Sequence, residues 1–287
     1  MRSVYGVAVL AVLLAVASSL SYGVSDFVGG LATRASPVLR VCAVTLPVSL
    51  AAEGVLLLVL GARWPVAALA WGAAAGVASS AAFALLYQSL ALGPMGILSP
   101  VTAVVSAVLP AAVGLAEGER LSAAGAVGIV LAIAAVAAVS ATAGEHGRRP
   151  SPVALALAIA AGVAIAAQLI CLSKTPHDSG VAPLVVCRAV STVVLLGAAG
   201  WRRRRLAPAG PGATRLAVVS GLFDAAANVT FLLAVRSGSL VVVAVITALY
   251  PGSTVLLARR VLGERLTGTQ VSGLLVAAVA VALLAIS

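Results

Sequence analysis

Apolar runs of about twenty residues, each long enough to cross a bilayer, follow one another along the chain with only short polar breaks. Few folds satisfy that pattern. In hydrocarbon every backbone N–H and C=O must be paired internally, and continuous apolar runs are the helical solution. The runs fall near residues 4–24, 37–60, 66–90, 95–115 and 122–141, then 152–172, 181–200, 216–235, 240–257 and 267–286. Composition agrees: 62% of residues are hydrophobic and 9% charged, whereas a soluble domain carries roughly 25% charge. The expected fold class is an all-α integral membrane protein of about ten transmembrane helices. The basic start and small-residue site of the first run also fit a cleaved signal peptide. Its apolar character continues through Val24 and almost to Thr33, so a span is the better reading.

The net charge of +10 sits mostly in the breaks between runs, where Lys and Arg set topology. It is no nucleic-acid footprint, which needs a basic face on a folded soluble domain. Cys42, Cys171 and Cys187 lie inside apolar runs without CxxC spacing and read as packing residues. His146 and His177 lie in different breaks, without the spacing of metal ligands, and no GxxxxGK[ST] phosphate loop occurs. No cofactor and no metal are expected.

The tetrapeptide GERL occurs at Gly118-Glu119-Arg120-Leu121 and again at Gly263-Glu264-Arg265-Leu266. The offset is 264 − 119 = 145, about half of 287 residues. At that offset Gly76 meets Gly221, Gly93 meets Gly238, Gly128 meets Gly273 and Ser122 meets Thr267. Five spans precede the midpoint and five follow it, which suggests a duplication into residues 1–144 and 150–287. An odd number of spans per unit forces the second to enter the membrane with opposite orientation. Inverted repeats of this kind place a substrate site at their interface near the midplane.

Further residues carry a family likeness. Arg40 and Arg188 open the second helix of each half, and a proline-bearing helix ends in GERL twice, in "LPAAVGLAEGERL" and "YPGSTVLLARRVLGERL". The third and eighth helices are rich in glycine. In this order and spacing the chain resembles the drug/metabolite transporter superfamily, and within it the ten-helix EamA-like family. It departs in having Tyr22-Gly23 where the family often has Trp-Gly, and Ser106 opposite Pro251. The resemblance implies movement of a small organic solute, with export the preferred direction, and leaves the solute open. GERL then closes the fourth helix of each half, and an architectural role there is favoured over binding.

Function should lie where ionisable groups enter hydrocarbon, each at a cost of at least ~2.5–3.5 kcal/mol. Asp224 sits near the middle of the eighth span, and Asn228, four residues on, shares its helical face. The pair is expected to line a central cavity, with Asp224 as substrate contact and proton-coupling candidate, or to bridge to Arg188. Arg188 itself would suit a carboxylate-bearing substrate. Gln88, Gln168, Tyr22 and Tyr250 complete the candidate substrate-binding set. Asp26 and Glu53 are doubtful: each could line the entrance or pair with an arginine. Gly72 and Gly76 should allow close helix approach, Pro100, Pro110 and Pro251 should kink their helices, and Trp64, Trp71 and Trp201 fit interfacial anchors.

Orientation is contested. The resemblance implies cytoplasmic termini, which would place Arg148, Arg149, Arg202 to Arg205, Arg215, Arg259, Arg260 and Arg265 outside; the positive-inside count favours the reverse. The expected function is secondary transport of small organic solutes such as amino acids, metabolites or drugs, by alternating access, with proton coupling through Asp224 as the hypothesis and simple exchange or facilitated passage as its rival. The expected partners are that solute, protons and the lipid bilayer, and a monomer is plausible because both halves share one chain. One Lys among 18 basic residues, with abundant Ala, Val and Gly, suggests a GC-rich bacterial source and a plasma-membrane location. The rivals are a non-transporting scaffold or channel, which would have a closed apolar centre, and a membrane enzyme, which would need clustered His or acidic groups.

Overall fold

A computed structural model describes residues 2–93, 95–140, 151–201, 210–262 and 268–285. The second GERL, His146 and the two longest polar breaks lie outside the described residues, wholly or in large part. The elements in chain order are α1 Arg2–Ala35, α2 Val38–Leu60, α3 Val66–Leu92, α4 Met95–Ala116, α5 Ala123–Ser140, α6 Pro152–Ser173, α7 Ala182–Trp201, α8 Pro211–Ser237, α9 Leu240–Thr247, α10 Pro251–Leu262 and α11 Gly268–Ala285. A 3-10 turn at His177–Ser179 joins α6 to α7. Among the described residues there is no strand, only an isolated bridge between Ala62 and Gly180.

Among the described residues five helices are long and apolar enough to cross a membrane: Val9–Ala35, Val38–Val59, Val66–Leu92, Pro152–Ser173 and Gly212–Ser237. Five shorter apolar helices accompany them. Apolar side chains such as Leu58, Val66 and Val193 stand on the outer surface, as they must where the solvent is lipid. Trp64 and Trp71 are exposed near the start of α3, while the Trp201 side chain lies outside the described residues. This is an all-α, multi-pass membrane protein.

The ninth apolar run differs from its expected single span. Pro251 has no N–H to donate, and the chain passes from α9 to α10 through tight turns, with Leu249 N bonded to Ile246 O and Tyr250 N to Thr247 O. By contrast α4 runs unbroken through Pro100 and Pro110, and α2 through Pro47.

Small and hydroxylated residues hold the helices together. On α3, Gly76 approaches α7 so closely that a Cβ would stand 2.6 Å from Cys187 O, which is the role expected of Gly72 and Gly76. Ser18 donates to Ala227 O and Thr45 to Ala217 O, while Ser89 and Thr102 donate to Ala154 O and Ala158 O. The contacts come in pairs related by exchanging the halves: α1 packs on α8 as α6 does on α3, and α2 on α8 as α7 does on α3. Helices α5 and α11, and likewise α2 and α7, pack on one another.

Glu119 of the first GERL has an architectural position. Its carboxylate accepts from Ser239 Oγ at 2.5 Å, Leu240 N at 2.9 Å and Val241 N at 2.9 Å. It thereby satisfies the orphan donors at the start of α9 and places negative charge at the positive end of the helix dipole. Glu119→Ala is expected to cost about 1 kcal/mol, and Glu119→Gln less because one acceptor oxygen remains. Thermal unfolding of the purified protein checks the order; equal midpoints for wild type and both variants would contradict the cap.

Candidate functional site

The centre of the bundle is polar. Arg188 on α7 is 1% exposed and reaches Asp224 of α8 with Nη2, 2.8 Å from Oδ2 and 3.0 Å from Oδ1. Its Nη1 donates to Ser79 Oγ of α3 at 2.8 Å, and its Nε lies 3.5 Å from Glu53 Oε1 of α2. The Phe83 ring packs against the guanidinium, its centroid 5.3 Å from Cζ. Asp224 also accepts from Ser49 Oγ at 2.7 Å and from Asn228 Nδ2 at 3.2 Å. Asn228 Oδ1 in turn accepts Tyr22 Oη at 2.9 Å and Gln168 Nε2 at 2.8 Å. One network thus ties together α1, α2, α3, α6, α7 and α8.

Local sequence explains the placement. Asp224 and Asn228 share a face of α8, as their spacing requires, and Asn228 Nδ2 also bonds Asp224 O at 2.8 Å. The same i, i+4 step puts Ser49 beside Glu53 on α2, Ser79 beside Phe83 on α3, and Tyr22 beside Asp26 on α1. Glu53 is fully buried, and neither of its oxygens has a hydrogen-bond partner. A buried carboxyl of this kind is costly unless a counter-charge is close, and here Arg188 supplies it.

A narrow cavity of about 50 Å³ opens beside the network, room for a few water molecules. Tyr22, Asp26, Gln168, Asp224 and Tyr250 line it, with Phe83, Leu86 and Leu169 as apolar wall. Arg188 and Asn228 are not among the lining residues. Tyr250 Oη donates to Ser99 O at 3.3 Å.

Of the residues expected from sequence, Asp224, Asn228, Arg188, Gln168 and Tyr22 are brought into direct hydrogen-bonded contact, and Tyr250 into the same cavity. Gln88 is not. It lies on the exposed face of α3, where the helical step turns its neighbour Tyr87 inward instead, to within 3.1 Å of Ser220 Oγ. The bridge from Asp224 to Arg188, one of two possibilities in the sequence, is formed. Arg188 is correspondingly engaged by protein groups rather than open to a substrate carboxylate. Arg40 is half-buried at the start of α2 and takes no part. Asp26 and Glu53, doubtful in the sequence, both join the site, Asp26 lining the cavity and Glu53 beside Arg188. Ser49, Ser79 and Thr247 are additions, and the i, i+4 step to Glu53 was the signal that would have found Ser49. Among the described residues no group of three or more His, Cys, Asp or Glu is arranged to hold a metal.

The EamA-like transporter family matches residues 152–286. The match takes in most of the second half of the chain, which is similar to that family. Members of that family are transporters rather than enzymes, and the match implies a small-molecule solute and a membrane setting. A solved crystal structure, described only as that of a protein, shares the fold with a TM-score of 0.71 at 17% identity, over 93% of this chain and 97% of the other. No curated protein matches the chain.

Proposed function

We propose that this EamA-like protein is a secondary transporter that moves small organic solutes across the plasma membrane, in the export direction, by alternating access between two inverted five-helix units. The observation that carries the reading is the Arg188–Asp224–Glu53 cluster, buried at the centre of a membrane bundle and adjoining a cavity. A scaffold has no need of such costly groups. The pairing of α1 with α8 and of α6 with α3 supports the inverted arrangement, as does the 145-residue offset.

Two carboxyls, Asp224 and Glu53, share one base, so the cluster is neutral when one of them holds a proton; Asp224 also lines the cavity, which supports it as the coupling group. A solute that disturbs the Asp224 contacts would then be linked to proton movement.

The test is uptake into proteoliposomes of labelled amino acids and organic cations, with and without a pH gradient. Asp224→Asn is expected to lower transport at least about tenfold, since it weakens a charge-assisted contact on which the central network depends. A variant that keeps both full transport and its pH dependence would remove Asp224 from coupling. Wild-type protein that is folded and moves none of these solutes would favour the scaffold.

A further inference from the structure

Among the described residues two carboxylates line the cavity, Asp26 and Asp224, and no basic side chain does. Asp224 is fully answered: Arg188, Ser49 and Asn228 all bond to its oxygens. Asp26 is not. It is half-buried on α1 and makes no hydrogen bond or ion pair among the described residues. Thr247, at the end of α9, lines the same cavity, and its buried Oγ1 also lacks a partner. An unanswered carboxylate and an unanswered hydroxyl thus face a common space whose remaining wall is mostly aromatic and aliphatic, with Ser106, Gln168 and the paired Asp224 as its other polar groups. Arg188, the base beside the cavity among the described residues, is not in its lining and packs against the ring of Phe83.

From this we infer that the cavity is a binding site for an organic cation bearing an amine. The ammonium ion-pairs with the Asp26 carboxylate and donates to Thr247 Oγ1, while the apolar body lies against Phe83, Leu86 and the rings of Tyr22 and Tyr250. The assignment rests on the transport reading for its biological meaning, but binding itself does not require it. It excludes anions, because a carboxylate entering the cavity meets Asp26 and finds no free base. It also disfavours zwitterions, whose carboxylate would be buried without a counter-charge. The space present admits an ammonium head; the bundle has to part to admit the rest of the solute.

The test uses the full chain in lipid nanodiscs and three molecules of nearly one shape: phenethylamine, phenylalanine and 3-phenylpropionate, carrying a positive, balanced and negative charge. Equilibrium binding of labelled phenethylamine is measured, with the other two as competitors. Saturable binding of the amine is expected, with competition by the zwitterion at least about tenfold weaker than by the amine itself and none by the anion. Asp26→Asn is expected to weaken amine binding about tenfold or more, whereas Asp26→Glu, which keeps the charge, retains most of it.

Folding is followed separately. Asp26→Asn removes a charge that has no partner in the empty protein, so its unfolding midpoint should equal or exceed that of the wild type. Equal binding of amine and anion, unchanged affinity in Asp26→Asn, or no amine binding to folded wild-type protein would each overturn the assignment. Amine binding without amine movement in proteoliposomes would leave the site standing and sink the transporter reading. Transport of anions would do the opposite.

Discussion

Arg188→Leu is expected to yield little or no folded protein. The guanidinium is the shared partner of two buried carboxyls, Asp224 at 2.8 Å and Glu53 at 3.5 Å. Removing one member of a buried ion pair costs about 3–5 kcal/mol, because the other charge stays buried and unanswered. Here two are left. A loss of that size approaches the whole stability of an ordinary domain, about 5–15 kcal/mol. Arg188→Lys should fall between, since one ammonium cannot spread its donors over Ser79, Asp224 and Glu53 as a planar fork does. The triple variant Arg188→Met, Asp224→Leu, Glu53→Leu removes base and acids together. Apolar replacements of a buried cluster are often tolerated, so this variant should fold and yet fail to transport. The measurement is the yield of monodisperse protein and its thermal unfolding midpoint. A wild-type midpoint for Arg188→Leu would show that the cluster carries no structural weight.

The contrast between Asp224 and Gln88 shows how far the sequence could be read. Asp224 and Asn228 announce a face by their spacing, and both turn inward. Gln88 has no polar companion on its helix one turn away. In a membrane helix the lipid side and the packed side are both apolar, so an amphipathic stripe does not mark the interior. A single polar residue then gives no direction. Asp26 and Glu53 were doubtful because their i, i+4 companions were not paired with them: Tyr22 was read by itself and Ser49 was not singled out. The helices themselves were legible, because run length is set by bilayer thickness. The split of the ninth run was legible only in part: Pro251 announced a bend, but α4 passes through two prolines and stays whole. The first GERL was readable as architecture, whereas its partner, the start of α9, lies 120 residues further along the chain and only the fold brings it near.

Gly76→Val and Gly221→Val should both destabilise the bundle, to similar degrees and less than the loss of Arg188. A Cβ at Gly76 would meet Cys187 O of α7 at 2.6 Å, and one at Gly221 would meet Thr45 O of α2 at 2.5 Å. Both obstacles are backbone carbonyls, which cannot rotate away as a side chain can. The helices must separate, and overpacking of this kind costs about 1–3 kcal/mol or more. Separation also reaches the central cluster, because Arg188 follows Cys187 directly and Asp224 lies one turn beyond Gly221. Gly54→Ala is the control: a Cβ there meets nothing within 4 Å, and alanine in a helix interior gains about 1 kcal/mol over glycine. At roughly 2–4 °C per kcal/mol, unfolding midpoints should drop by several degrees for each valine variant and hold or rise for Gly54→Ala. The two glycines are also counterparts, since 221 − 76 = 145, the GERL offset. In a duplicated chain the interface of α3 with α7 answers that of α8 with α2, and the two valines should do equal harm. A severe defect at one glycine with a mild one at the other would mean that the two interfaces are not equivalent, and the case for two inverted units would lose its structural footing.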